Sequence, residues 1–264
     1  MSSVSSLSNG ALFAANSAAK AQRGITESIA KLSSGKRSIN GSDPSGQAVA
    51  DSLNANSRSW YVAARNAEDG ISAAQVAESS LLEIAGLAQR LRELGVKFEN
   101  SDILSDTDTS ALDAEAAAIY DTIDAIIETT KFNGVDLLSH SVKSYQVAVA
   151  DDGGYIQFQS SSGFTSVSDK NTVADAIADA DTILPEVATN LGHTSAGMAA
   201  FKARQAVAYS ASANLAAAAS RIEDTDYAEE SANLARLSIL NQSSMSMVAQ
   251  ANKANAAFLT IINQ

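Results

Sequence analysis

Few residues in this chain have the types and spacing that enzyme chemistry requires. The chain has no cysteine, which excludes disulfide frameworks, thiolate metal sites and thiol nucleophiles. Its two histidines, His140 and His193, are far apart and belong to no H-E-x-x-H or similar metal-binding pattern. The sequence contains no G-x-G-x-x-G or G-K-[ST] phosphate loop. We therefore expect no catalytic residue, no metal and no cofactor.

Two acidic pairs, Asp106/Asp108 and Asp224/Asp226, resemble the first ligands of a calcium-binding loop. In each case the next ligand position holds serine or alanine, and the loop lacks the glycine that its turn requires. Helix capping and solubility are therefore the better interpretation of both pairs.

A third group of polar residues lies on a predicted helix. Gln89, Arg90 and Glu93 flank the apolar Leu91, with Leu94 beside them. Arginine forks next to a leucine could form a recognition surface for another protein. The same pattern is equally typical of an ordinary charged helix face, and spacing alone does not choose between the two.

The composition predicts the elements that carry these residues. The chain of 264 residues has only two prolines, and about a fifth of its residues are alanine. Aromatic residues make up 5% of the total. These values favour long uninterrupted helices that pack through small side chains. The expected fold class is mainly α, with long antiparallel helices in a coiled-coil or rod bundle.

Charge and hydropathy exclude two classes of partner. The net charge of −12 repels a phosphate backbone, and no segment collects enough Lys and Arg to override it, so we expect no nucleic-acid partner. No apolar run approaches the roughly 18 to 20 residues that cross a bilayer, so we expect no membrane partner. The first residues lack the pattern of a Sec-type signal peptide, although the composition does not exclude export without a cleaved signal.

Apolar spacing places helices at both ends of the chain. Steps of three and four residues, as in a coiled coil, predict buried seams that pair the N- and C-terminal helices. The first predicted seam includes Ala18, Ile25, Ile29 and Leu32. The second includes Leu237, Leu240, Met247, Ala251, Ala254, Phe258 and Ile261. Because these small side chains bury little area, we expect the terminal helices to become ordered only when several copies pack together.

The middle of the chain predicts further helices and one hairpin. A second helix is expected from about Ala48, and a capping box at Ser110 and Asp113 is expected to begin a third. Alternating residues after Lys131 predict a β-hairpin at about 142–160. Helix signals return at Val173, with a break expected near Pro185 and Leu191-Gly192.

Several blocks of this sequence resemble one known family. They are LSSGKRSINGSDPSGQAVADSL at 32–53, AARNAEDGISAAQVAESSLLEIAGLAQRLREL at 63–94, KFNGVDLL at 131–138, YQVAVADDG at 145–153 and the segment from Ser220 to Gln264. In kind and order these blocks are similar to those of bacterial flagellin. Only residues of about 160–172 separate the two halves, so the chain resembles a short flagellin without the variable outer domain.

The resemblance implies a structural subunit, not an enzyme, that is exported through the flagellar type III apparatus and assembles into the extracellular filament for swimming motility. It implies an inner coiled-coil domain of residues 1–42 and 222–264 and a helical rod domain of residues 43–221. The alternative within the same apparatus is the hook–filament junction protein.

The resemblance also implies partners. They are other copies of the chain, the flagellar cap, the hook-junction proteins, an export chaperone and an innate-immune Toll-like receptor. The receptor residues of the family match Gln89, Arg90, Leu94 and Glu115 of this chain.

Overall fold

Five long helices account for most of the residues that the structure describes. The computed structural model describes residues 2–38, 41, 43–165 and 172–262. The helices are α1 (Ser2–Ser34), α2 (Pro44–Phe98), α3 (Asp106–Thr129), α4 (Ala176–Glu223) and α5 (Tyr227–Ile262). Short 3-10 turns at Ser101–Ile103 and Val173–Asp175 precede α3 and α4. The mainly α fold class is confirmed.

Two small antiparallel sheets interrupt the helices. Strands β1 (Lys131–Phe132) and β2 (Val135–Asp136) are joined through Asn133 and Gly134, both of which have positive φ, as a tight hairpin turn requires. Strands β3 (Val142–Ala148) and β4 (Tyr155–Ser162) form the larger hairpin, with a register shift at Lys143/Ser144. The hairpin predicted at about 142–160 is confirmed.

The chain divides into two compact units. The terminal unit consists of Met1–Ala55 and Leu215–Gln264, and the central unit consists of Asn56–Asn214. Among the described residues, no helix has the length and hydropathy that crossing a lipid bilayer requires.

The central unit has a core of large side chains. Leu81, Ile84 and Leu91 of α2 pack against α3 and α4 in a cluster that excludes solvent. A second cluster joins Phe158 of β4 to Phe201 of α4, with ring centroids 5.9 Å apart. These buried aromatic and branched side chains stabilise the central unit by removing apolar area from water.

Two helix starts differ from the sequence expectation. Helix α2 begins at Pro44, four residues before Ala48, because Asp43 caps it through the backbone N–H of Gly46 and proline is favoured at the first helical position. Helix α3 begins at Asp106 with a capping box between Ser105 and Asp108, so the box predicted at Ser110 and Asp113 is wrong. Asp113 instead accepts a hydrogen bond of 3.0 Å from the backbone N–H of Val173.

The break predicted near Pro185 is also wrong, because α4 runs unbroken from Ala176 to Glu223. Proline removes one backbone donor from the helix. Ile183 and Val187, on either side of it, are almost fully buried in the core, and that burial keeps this turn of α4 in place. Burial of the neighbouring side chains therefore outweighs the tendency of Pro185 to break the helix.

Candidate assembly site

Helices α1 and α5 pair in antiparallel orientation in the terminal unit. Ser28 Oγ donates a hydrogen bond of 2.6 Å to Glu230 Oε1. Nearer the N-terminus, Asn241 Nδ2 donates one of 2.6 Å to Gln22 Oε1. Residue numbers fall along α1 as they rise along α5, which fixes the direction of the pair. The predicted pairing of the terminal helices is thus confirmed.

Small side chains form the α1 side of the line of contact between these helices, which we call the observed seam. Ala14, Ala18 and Ala21 are buried, while Ile25 and Leu32 are half-buried. The predicted seam residue Ile29 lies outside this line and is 53% exposed, and Ser28 takes its place. The heptad spacing continues from Ile25 through Ser28 to Leu32, so the geometry selects a serine over the neighbouring isoleucine.

On α5 the observed seam again differs from the predicted one. Leu237, Ala251 and Ala254 are half-buried, but Leu240 and Met247 are 50% and 60% exposed. Their places in the observed seam are taken by Asn241 and Val248. Phe258 and Ile261 belong to α5, but their side chains lie outside the described residues.

Several large apolar side chains of the terminal helices point away from the observed seam. They are exposed although leucine, isoleucine, methionine and phenylalanine normally favour the interior. These residues are Leu12, Phe13, Ile29, Ile239, Leu240, Met245 and Met247. The pair therefore buries its small residues most completely and leaves many large apolar residues outside, which marks a surface that is suited to contact with other protein.

A short clasp, formed by residues 35–37 and 223–225, closes one end of the pair. The Arg37 N–H donates to the Glu223 carbonyl at 2.7 Å, and the Thr225 N–H donates to the Gly35 carbonyl at 2.9 Å. The Lys36 ammonium forms an ion pair with the Glu223 carboxylate. Gly35 has φ +71°, which favours glycine, and a Cβ there would lie 3.0 Å from the Tyr227 hydroxyl.

Glu223 is the buried charge at the centre of the clasp. Only 9% of the residue is exposed, and Asn54 Nδ2 donates to its Oε2 at 3.1 Å. The side-chain hydrogen bond from Lys36 is the main cause that holds the pKa of the Glu223 carboxyl below its ordinary value. The same hydrogen bond raises the pKa of Lys36. Both groups are therefore held in their charged forms.

Sequence reasoning did not single out the clasp residues. They lie in the two blocks, 32–53 and 220–264, that carry the family resemblance in opposite halves of the chain. Only the meeting of those halves shows that Lys36 and Glu223 are partners. The sequence offers two signals for the clasp. One is a short turn with a lysine after the first helix, and the other is an acidic turn before the last helix.

Three of the four residues matched to receptor recognition form one surface in the central unit. Arg90 donates to Glu115 Oε1 through Nε at 2.9 Å and Nη2 at 2.6 Å, and its Nη1 contacts Glu93 Oε2 at 3.1 Å. Gln89 is exposed beside them. Leu94, however, is only 2% exposed and packs in the core, so a partner cannot reach it while α2 is packed.

One residue of each acidic pair has a structural role at a helix start. Asp108 completes the α3 capping box, and Asp226 Oδ1 accepts from the Ala228 N–H at 2.8 Å at the start of α5, so the capping interpretation is confirmed for these two residues. His140 Nε2 lies 3.7 Å from Asp124 Oδ1, and His193 is exposed. In the described ranges, His, Asp and Glu side chains form no group of three that could hold a metal ion.

Comparison with known proteins identifies the family. Residues 6–143 match the bacterial flagellin N-terminal helical region, and residues 174–262 match the bacterial flagellin C-terminal helical region. The chain is 35% identical to a flagellin of Halalkalibacterium halodurans over 89% of this chain and 91% of that protein. It is 30% identical to a flagellin of Listeria innocua, over 92% and 94%, and 32% identical to the flagellar filament 30.7 kDa core protein of Treponema maltophilum, over 86% and 88%. Since the two family regions are separated only by residues 144–173, the chain belongs to the bacterial flagellin family as a short form without the variable outer domain.

Proposed function

We propose that many copies of this chain assemble through the outer faces of α1 and α5 into the helical filament that bacteria rotate to swim. Flagellins are structural subunits of an extracellular filament. One observation carries the specific proposal, namely that the large apolar side chains of the terminal helices lie outside their own seam. Those side chains can be buried only against another copy or another protein.

The spacing of the exposed residues on α5 fits a second helix. Leu240 and Met247 are seven residues apart, and we call them the outer stripe. Leu237 and Ala251 lie three and four residues from the outer stripe and belong to the observed seam beside it. A helix with two heptad stripes can pack against one helix on each side. In this proposal α1 occupies the first side and a neighbouring copy occupies the second.

The charges of the terminal helices support close packing of many copies. Helix α1 carries Lys20, Arg23 and Lys31 against Glu27, and α5 carries two acidic and two basic residues. The two helices together carry +2, so the rest of the chain carries a net charge of −14. Nearly neutral helices can pack around a common axis without the repulsion that the whole chain would suffer.

The remaining assignments follow from the family and are part of the same proposal. Residues 1–42 and 222–264 form the inner coiled-coil domain, and residues 43–221 form the rod. The cap, the hook-junction proteins and an export chaperone are the partners of the subunit. Gln89, Arg90 and Glu115 provide the exposed part of a surface for a Toll-like receptor. The hook–filament junction alternative is not supported, because the three relatives above are named flagellin or filament core protein.

The proposal is tested by seeded polymerisation of two matched variants. Leu240→Gln replaces an apolar residue of the outer stripe, and Ser238→Gln introduces the same side chain at an exposed polar position on the same turn. We expect both monomers to keep the helical circular dichroism of the parent, since neither residue lies in the observed seam. Only Leu240→Gln should slow elongation of sonicated filament seeds, by roughly tenfold.

Two results would contradict the proposal. Elongation of Leu240→Gln at the parent rate would show that the outer stripe is not an assembly contact. Equal slowing of both variants would show that apolar character at position 240 is not the cause.

A further inference from the structure

We propose that Met245 and Met247 form an oxidation-sensitive site at which a peroxide stops the unassembled subunit from joining a filament. The proposal rests on the assembly surface described above and adds a chemical control to it. The two residues are 59% and 60% exposed in the single chain. Methionine sulfur reacts with peroxides when solvent reaches it.

The two methionines lie where oxidation would change the assembly surface of α5. Ser244 lies half-buried in the observed seam, and Met245 and Met247 follow it by one and three residues. At 100° per residue, the two methionines lie on opposite flanks of the seam. Each flank of α5 therefore carries one exposed sulfur, and Met247 is part of the outer stripe.

The reaction is a simple oxygen transfer. The sulfur lone pair attacks one peroxide oxygen, the O–O bond breaks, an S–O bond forms, and the other oxygen leaves as water after proton transfer. The thioether is oxidised and the peroxide is reduced, so no further reactant is needed. The product is a polar sulfoxide, which opposes burial in an apolar contact unless a donor is available.

The chain contains an internal control for this chemistry. Met198 of α4 is half-buried against the cluster of Phe158 and Phe201 in the central unit. Because the chain has no cysteine, peroxide has no thiol to consume it first. Oxidation of the subunit should therefore occur at α5 before it occurs at Met198.

Hydrogen peroxide is the probe for the test. Monomer is treated, the peroxide is removed, sulfoxides are located by peptide mass spectrometry, and elongation of untreated seeds is measured. We expect sulfoxide at Met245 and Met247 and elongation reduced roughly tenfold or more. The double variant Met245→Leu/Met247→Leu should elongate at the same rate before and after treatment, whereas Met198→Leu should lose elongation as the parent does.

A second measurement needs no variant, so it remains informative if the double variant does not assemble. Methionine sulfoxide reductases applied to oxidised parent should restore elongation. The inference is overturned if parent carrying both sulfoxides elongates normally, if reduction does not restore elongation, or if an assembling double variant is still inhibited by peroxide. Failure of untreated parent to elongate seeds would instead contradict the proposed function, so the two failures are distinguishable.

Discussion

In the central unit large apolar side chains form a buried core, whereas in the described part of the terminal unit every buried apolar side chain is alanine. Phe158, Phe201 and Tyr120 are fully buried between helices and strands of residues 56–214. In the pair of α1 and α5 the buried positions are alanine and serine, Ile25 and Leu237 are only half-buried, and Phe13 and Met247 face solvent. The central unit therefore has a hydrophobic core of its own, whereas the terminal helices expose an apolar surface that other molecules can contact.

Polar contacts show the same contrast. In the central unit the Tyr120 hydroxyl donates to Asp179 at 2.9 Å within a closed core, and burial raises the pKa of Tyr120. In the terminal unit Ser28 donates a hydrogen bond from within the seam, and Asn241 donates one to the exposed Gln22 at the edge of the seam. Repeated alanines specify the alignment of two helices only weakly. These hydrogen bonds and the clasp therefore fix the register of α1 and α5, whereas large buried side chains fix the packing of the central unit.

The largest expected difference between the two regions is in side-chain truncation. Phe201→Ala should lower the free energy of unfolding of the monomer by about 3 to 5 kcal/mol, because it leaves a cavity against Gly70 and Phe158. Phe13→Ala, at a side chain that is 75% exposed, should change it by less than about 0.5 kcal/mol. Urea unfolding of both variants measures these two changes in the free energy of unfolding. Equal losses would contradict the difference between the two regions.

Hydrogen exchange sharpens the comparison at the level of the backbone. We expect amides of residues 241–251 in α5 to be protected roughly a hundredfold less than those of residues 81–91 in α2 when the protein is a dilute monomer. The reason is that the α5 seam buries small side chains whereas α2 buries Leu81, Ile84 and Leu91. In assembled filaments the difference should narrow. Strong protection of α5 in the monomer would contradict the expectation that assembly orders the terminal helices.

Much of this contrast could be predicted from the sequence. Period and composition predicted the helices, the hairpin and the pairing of the ends, because heptad spacing and strand alternation are local signals. Ile29, Leu240 and Met247 lie outside the seam that pairs α1 with α5, because apolar spacing alone does not separate burial within the chain from burial against another copy. Their part in assembly between copies stays a prediction. The clasp was missed because Lys36 and Glu223 meet only after folding.

Acid should weaken the clasp before it weakens the cores. The hydrogen bond from Lys36 lowers the folded-state pKa of Glu223, so below about pH 4.5 the unfolded chain binds more protons at this group than the folded chain does. Its stabilising contribution is complete above that pH and is lost as the pH falls through the lowered pKa. The readout is hydrogen exchange of the Arg37 and Thr225 amides, corrected for intrinsic rates. Glu223→Gln should lower their protection roughly tenfold at pH 6 and abolish this part of the pH dependence.

A matched control for the acid experiment is Glu229→Gln, which removes an exposed carboxylate near the start of α5. It should leave the exchange of both amides unchanged at pH 6. If Glu229→Gln and Glu223→Gln had equal effects, net charge and not the clasp would explain the result.

The smallest expected effect separates the observed seam from the predicted one at two adjacent residues. Ser28 is 3% exposed and faces Glu230, so Ser28→Asn forces a larger side chain into the seam and should lower the protection of neighbouring α1 amides about tenfold. Ile29→Asn introduces the same side chain at a position that is half-exposed and should change protection less than about threefold, since only helix propensity is altered. Exchange of the Ala21 and Ile25 amides measures both. A larger loss of protection in Ile29→Asn than in Ser28→Asn would show that Ile29 is the seam residue. Ile29 would then not belong to the outward-facing apolar surface of α1.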